Sequence, residues 1–280
     1  MNRVVLLGTK GGPAVRANAA MPTSSLLELD GRCVVVDCGL GVTKALVTAG
    51  MDLKQLDLIF ITHLHSDHIL ELGPLIHTAW TTGKTGAVRV YGPPGISTYW
   101  QGFMASVAYD SDIRVKDEGR VPLDQLVTVI EYDEGTILDD GIQVRALRVP
   151  HPPLADCFAL RFDGSKSVTF SGDTAYFPPL AEFASGSDLL VHEALLPAGV
   201  ELIISRTGLG DKLRQHLYNS HTRVEDVARI ARAAGVGRLA LNHLVPADDP
   251  GIDAQDWLSQ IAPIWNGMAE VGTDGMEILL

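Results

Sequence analysis

Three imidazoles and one carboxylate fall within six residues in the run His63-Leu64-His65-Ser66-Asp67-His68. The preceding Leu58-Ile59-Phe60-Ile61 is branched and aromatic and reads as a buried strand. Side chains two apart on an extended chain point the same way, so His63 and His65 leave the strand end side by side. Asp67 and His68 then fall on the turn into a helix. Imidazole nitrogen and carboxylate oxygen are favoured ligands of zinc and manganese, and four at this density can serve two neighbouring ions. Similar residues stand at the ends of other apolar runs: His151 after 142–150, Asp173 after Phe170-Ser171-Gly172, His192 and Glu193 after Leu189-Leu190-Val191, and His243 after Leu239-Ala240-Leu241-Asn242. Any one of these alone reads as a hydrogen-bonded structural histidine or a capping aspartate. Together with the cluster they point to one metal site built where strands end.

The elements that must position these residues alternate between strand and helix patterns. Hairpins are expected at 25–36 around Asp30-Gly31 and at 157–170 around Asp163-Gly164, the dipeptide that tight hairpin turns prefer. Helices are expected at 42–49, 96–109, 224–234 and 254–261. The third opens on a capping-box pattern, Thr222-Arg223-Val224-Glu225, and stops at Gly235. An internal echo links two segments. Val34-Val35-Val36-Asp37 precedes Asp57-Leu58-Ile59-Phe60-Ile61-Thr62-His63, much as Val168-Thr169-Phe170-Ser171-Gly172-Asp173 precedes Asp188-Leu189-Leu190-Val191-His192. A duplicated half-domain would produce this, as would chance in a strand-rich chain.

The chain has 280 residues, 46% of them hydrophobic, and no long Ser, Gly or Pro linker, so it reads as one α/β domain over 1–280. No stretch approaches the roughly 20 apolar residues of a membrane span. The opening run lacks the features of a signal peptide and reads as the first strand. Cys33, Cys38 and Cys157 are odd in number and mostly lie in apolar runs, as reduced core residues of a cytoplasmic protein would. The net charge of −12 argues against the basic surface on which nucleic-acid binding relies.

The succession His63, His65, Asp67, His68, then His151, Asp173 and His243 resembles the H-x-H-x-D-H, His, Asp, His pattern of the metallo-β-lactamase-fold hydrolases. The likeness runs from Leu6 to the end of the chain. It implies a four-layer αββα sandwich with one metal held by His63, His65 and His151 and another by Asp67, His68 and His243. Asp173 would bridge the two together with a hydroxide. Within that superfamily the chain resembles the ribonuclease Z, arylsulfatase and phosphodiesterase branch. The motifs that carry this are Leu7-Gly8-Thr9, Asp37-Cys38-Gly39-Leu40-Gly41, Tyr91-Gly92-Pro93-Pro94-Gly95, Ser171-Gly172-Asp173-Thr174, His192-Glu193-Ala194 and Ser220-His221-Thr222. Members that process tRNA usually insert a long arm between the third-strand histidine and the bridging aspartate, and residues 152–172 leave no room for one. With the acidic charge, this leads to the expectation of a small-molecule substrate, no tRNA maturation and no nucleic-acid partner.

Two divalent ions, Zn2+ foremost with Mn2+ or Fe2+ as alternatives, would lower the pKa of a bridging water and polarise the bond under attack. Asp67 would orient the nucleophile besides binding metal. The resemblance places His221 beside the leaving group as proton donor and Glu193 behind it, while His192 buttresses the turn. Asp37 either orients a ligand imidazole or is a plain turn aspartate. His77 and His216 match no motif and read as surface or helix-face residues. Residues 204–219, with Arg206, Lys212, Arg214 and two glycines, read as a solvated connection, a substrate flap being the alternative. Trp80, Trp100, Phe103 and Tyr109 suit core packing or a pocket wall. The expected activity is dinuclear-metal hydrolysis of a small ester: a phosphodiester, aryl sulfate or organophosphate. A lactonase is the nearest alternative, followed by a mononuclear iron oxygenase or a non-catalytic metal-dependent binding module. No membrane partner is expected, and a homodimer is allowed.

Overall fold

The computed structural model describes residues 2–247 and 249–280. Strands β1 (Arg3–Gly8), β2 (Ser24–Leu29) and β3 (Arg32–Val36) pair antiparallel. Asp30 and Gly31 take the two positive-φ positions of the β2–β3 turn, at 51° and 81°. After α1 (Val42–Thr48), the sheet continues in parallel through β4 (Leu58–Phe60), the helices α2 (Ser66–Ile69) and α3 (Leu72–Thr81), and β5 (Val88–Gly92). Helices α4 (Ile96–Glu118) and α5 (Leu123–Leu126) lead to β6 (Val127–Glu131), also parallel.

A second sheet begins with β7 (Gly135–Asp139), β8 (Gln143–Arg148), β9 (Phe158–Asp163) and β10 (Ser167–Phe170), all antiparallel. It grows in parallel after α6 (Pro179–Phe183) through β11 (Leu189–Leu195). The helices α7 (Pro197–Thr207), α8 (Gly210–Ser220) and α9 (Val224–Ala234) follow, then β12 (Arg238–Val245), α10 (Ala254–Ile261) and β13 (Met268–Val271). The last strand, β14 (Met276–Leu279), returns to the edge of the first sheet beside β1.

Alternation along the strands sets the layers. In β1, Val4 and Leu6 enter the core between the sheets, while Val5 and Leu7 pack under α1 and α3. Phe60, Phe158 and Phe162 fill the inter-sheet layer, each fully buried, and each such side chain contributes about 1.5–3 kcal/mol by leaving water. On the outer face of the second sheet, α9 presents Val224, Val227, Ala228 and Ala231 at helical spacing. The order of layers is therefore helix, sheet, sheet, helix, as the resemblance implies.

Several local expectations are corrected. Helix α4 continues to Glu118 because Arg114 pairs with both Asp110 and Glu118, one turn either way, where apolar periodicity has ended. The capping box before α9 does not form: Arg223 is the N-cap and makes no side-chain cap, since the Thr222 hydroxyl donates to the Thr174 carbonyl instead. Such a box opens α10, through Asp253 and Asp256. Residues 204–219 are no connection but most of the α7–α8 helical hairpin, turned at Gly208 and Gly210. Trp80 and Trp100 belong to the outer core, and Tyr109 is 84% exposed. Among the described residues no helix is long and apolar enough to cross a membrane. All three cysteines are free, Cys38 and Cys157 buried.

Candidate metal centre

The sequence echo corresponds to one arrangement made twice. Val34 to Val36 in β3 pair in parallel with Leu58 to Phe60, and Val168 to Phe170 in β10 pair in parallel with Leu189 to Val191. Asp37 and Asp173 lie just past the first strand of each pair, and both reach the centre. Asp37 has a φ of 62°, and the Gly172 that precedes Asp173 has a φ of 59°. A Cβ on Gly172 would stand 2.5 Å from the Phe158 carbonyl oxygen, so only glycine allows this approach. His63 and His65 lie on the loop after β4, and Asp67 and His68 in the first turn of α2. His243 does not end its strand: it is the extra residue of a bulge in β12, where Asn242 faces Glu193 but Leu244 faces Ala194. The bulge and a φ of 42° turn its ring toward the others.

All seven expected ligands meet at this point. His65 Nδ1 lies 3.1 Å from both His63 Nε2 and His151 Nε2. Donors about 2.05 Å from a zinc ion at tetrahedral corners stand about 3.3 Å apart, so this trio is spaced for one ion. The Asp173 carboxylate lies between two donor groups. Its Oδ2 is 3.7 and 3.8 Å from the Nε2 atoms of His63 and His151 and 3.0 Å from His243 Nε2, and its Oδ1 is 3.5 Å from His68 Nε2. Asp67 Oδ2 stands 3.6 Å from His68 Nε2 and 3.3 Å from His243 Nε2. The buried Nε2 of His68 makes no hydrogen bond among the described residues, yet three carboxylate and imidazole groups surround it. The donor set suits divalent cations.

Charge is distributed unevenly across the cluster. Burial pushes His63 well below the usual imidazole range, His65 to about 4 and His151 also down. Burial opposes charge on His68 and His243 as well, but carboxylates outweigh it there. Asp173, Asp37 and Asp67 hold His68 well up, and Asp173 with Asp67 raises His243 to about 10. Against its own burial, Asp173 is held well below the usual carboxylate range by His243, His68 and His63.

An outer ring orients these groups. Asp37 Oδ2 lies 2.8 Å from His68 Nδ1, and its Oδ1 accepts from the Thr62 amide. The Ser220 carbonyl accepts from His151 Nδ1 at 2.8 Å. The Gly12 amide donates to Asp67 Oδ2 at 2.8 Å. Glu193 sits 3.2 Å from His221 Nδ1 and accepts from the amides of Thr174 and Thr222. His221 stacks on His243 at 5.4 Å. His192 is buried, its Nδ1 2.6 Å from the Glu193 carbonyl oxygen, and it is absent from the cleft wall. His77 lies 3.5 Å from Asp110, also apart from the centre.

His65, Asp67, His151, Asp173 and His243 of the cluster form the floor of a cleft of about 370 Å³. Ile203, Leu209, Leu213 and Leu217 of the α7–α8 hairpin wall one side, and the loop after β1 brings Lys10 and Arg16 to another. Arg206 reaches the cleft while paired with Asp249 at 2.6 Å. Sequence reasoning misses the loop of Lys10, Gly11 and Gly12, for which Gly11-Gly12-Pro13 gives only a turn signal. His216, read as a surface or helix-face residue, does lie on α8, and what that reading misses is that its ring lines the cleft.

Comparisons agree with this geometry. The family model described as anti-Pycsar protein Apyc1 matches residues 3–228. A ribonuclease Z of Mycobacterium sp. (strain KMS) is 35% identical over 278 residues, covering 98% of this chain and 94% of that protein. The metallo-β-lactamase-fold protein YhfI from Bacillus subtilis superposes with a TM-score of 0.73 at 22% identity, over 99% of this chain and 98% of its own. The short form of human tRNase Z gives 0.69 at 20%, over 99% and 98%. These relatives overturn the expectation of no nucleic-acid partner and with it the argument from the missing arm. A ribonuclease Z aligned over 94% of its own length leaves little room for a long insertion. Net charge, besides, sums a whole surface and does not describe the groove a substrate meets.

Proposed function

We infer function from the premise that the chain belongs to the metallo-β-lactamase-fold hydrolases, in the family described as anti-Pycsar protein Apyc1 and beside the ribonuclease Z proteins, and we propose a dinuclear-metal phosphodiesterase acting on nucleotide phosphodiester bonds, RNA included. The observation that carries this is the convergence of seven donors from both sheets, five of which line one cleft, with the His221–Glu193 pair beside them. The reading takes 1–280 as one hydrolase domain. His63, His65 and His151 would hold one ion, Asp67, His68 and His243 the other, with Asp173 shared. Zinc suits the imidazole-rich donors, manganese and iron being alternatives. Bound divalent ions supply Lewis acidity, lowering the pKa of water and drawing charge from the phosphoryl group.

The chain's own residues do the rest. Asp67, fixed by the Gly12 amide, orients the attacking water along with its role in binding. Glu193, anchored by two backbone amides, holds His221 by Nδ1 and leaves Nε2 to deliver a proton to the leaving oxygen. Asp37 and the Ser220 carbonyl fix the tautomers of His68 and His151. The α7–α8 wall offers an apolar face to a base, and Lys10, Arg16 and Arg206 place positive charge around a phosphate.

The test is metal analysis joined to a panel of dinucleotides, precursor tRNA at low and physiological salt, an aryl sulfate and an acyl-lactone. Metal-dependent hydrolysis of the phosphodiesters ahead of the other esters is expected. Full metal occupancy with turnover confined to the lactone or sulfate would overturn the reading.

A further inference from the structure

His216 has no part in the metal binding or proton transfer proposed above, yet it faces the same cleft. It sits on α8 one turn before Ser220. The Ser220 hydroxyl donates its only proton to the Pro152 carbonyl at 2.6 Å, so toward His216 Nδ1, 3.3 Å away, it can only accept. That contact holds the neutral ring as the Nδ1–H tautomer and leaves Nε2 as a bare acceptor. The Ser220 carbonyl meanwhile accepts from His151 Nδ1. One residue thus orients both His216 and an imidazole of the metal centre. The His216 ring centre is 6.3 Å from that of His151 and 6.0 Å from that of His221. His216 thus lines the same cleft as the donor cluster, beside the place a phosphate would take there.

An acceptor at that place selects among the groups flanking a phosphodiester. Phosphate oxygens at neutral pH have no proton to give, so Nε2 does not serve the phosphate itself. The donor nearest a scissile nucleotide ester is the hydroxyl on the neighbouring sugar carbon. We propose that His216 is a specificity-determining residue whose Nε2 accepts a hydrogen bond from the ribose hydroxyl vicinal to the scissile ester, so that the site favours ribose over 2′-deoxyribose. This rests on the phosphodiesterase reading given above.

The test compares a dinucleoside monophosphate with the same compound lacking the 2′-hydroxyl beside the 3′-ester. The metal-loaded wild type should favour the ribose compound by about tenfold or more in kcat/KM, as a hydrogen bond formed in a partly dehydrated site gives. His216→Phe keeps a ring and removes the acceptor, and should bring that ratio to about one, the loss falling on the ribose compound. His216→Gln returns a carbonyl near the position of Nε2 and should restore part of the preference. Metal content should match the wild type in both, which separates this role from a shift of His151 passed through Ser220. If circular dichroism shows that His216→Phe does not fold, His216→Leu carries the same comparison. An unchanged ratio in the acceptor-free variant, or equal slowing of both compounds with loss of metal, overturns the proposal. A wild type that hydrolyses both without preference also overturns it while leaving the phosphodiesterase reading intact. A wild type that hydrolyses neither overturns both.

Discussion

Loading the metal-free protein with divalent ions should release protons unevenly, and the count follows from the buried charges. His63 and His151 lie below the usual imidazole range and His65 near 4, so at pH 7.5 all three rings are neutral. His243, near 10, is imidazolium under the same conditions, and the carboxylates around His68 hold it well up too. Filling the His63–His65–His151 trio should then displace almost no protons, and filling Asp67–His68–His243 at least one, from His243. Removing the His243 proton at pH 7.5, some 2.5 units below its pKa, costs about 3 kcal/mol and weakens apparent affinity about 300-fold. The ions should therefore bind in sequence, the trio first. The second affinity should rise at least about tenfold per pH unit between 7 and 9 as His243 gives up its proton, and the first should stay nearly flat. Isothermal titration in two buffers of different ionisation enthalpy reads the proton count directly. Equal proton release in both phases, or a second affinity flat with pH, would refute the reasoning.

Asp173→Ala should cut metal content below two per chain and nearly abolish turnover; two tightly held ions and full activity, by elemental analysis and assay, would overturn its shared role. Asp37→Ala removes the partner of His68 Nδ1 and should weaken metal binding about 10- to 100-fold in a chelator competition. His221→Ala should keep its metals and lose about 100- to 10,000-fold on alkoxide leaving groups but far less on nitrophenolate. Glu193→Gln should show a milder form of that selectivity; loss of metal in the His221 variant would make the residue a ligand instead. The metal-free protein should melt at the highest temperature near pH 6.5. Below that, His65 must stay neutral in the fold while the unfolded chain takes up its proton, so stability falls from about 6.5 toward 4. Above it, the stability from protonated His243 is lost as pH rises toward 10. A melting temperature that is flat from pH 4 to 10 in chelator would contradict both limbs.

Chemistry and layering were legible in the chain because both rest on short-range patterns. Residues of metal-ligand type follow apolar strands directly in sequence, so His63, His65, Asp67 and His68 stand out as candidate ligands within a few residues. Continuous apolar runs such as Val4 to Leu7 mark strands buried on both faces, and Asp30-Gly31 supplies the positive φ its hairpin needs. The length of α4 was not legible, since ion pairs at one-turn spacing extend it after the apolar period ends. The fate of Thr222 was not legible either, because its cap lost to a carbonyl 48 residues away in sequence. Only the packed fold turns His243 inward through a bulge, sets Gly12 against Asp67, and carries the α7–α8 hairpin over the cleft so that His216 faces the site. Each of these depends on contacts between segments distant in sequence, for which local composition carries no signal. Net charge misled for the same reason: it is a sum over the chain, whereas a substrate meets the local arrangement that tertiary packing makes.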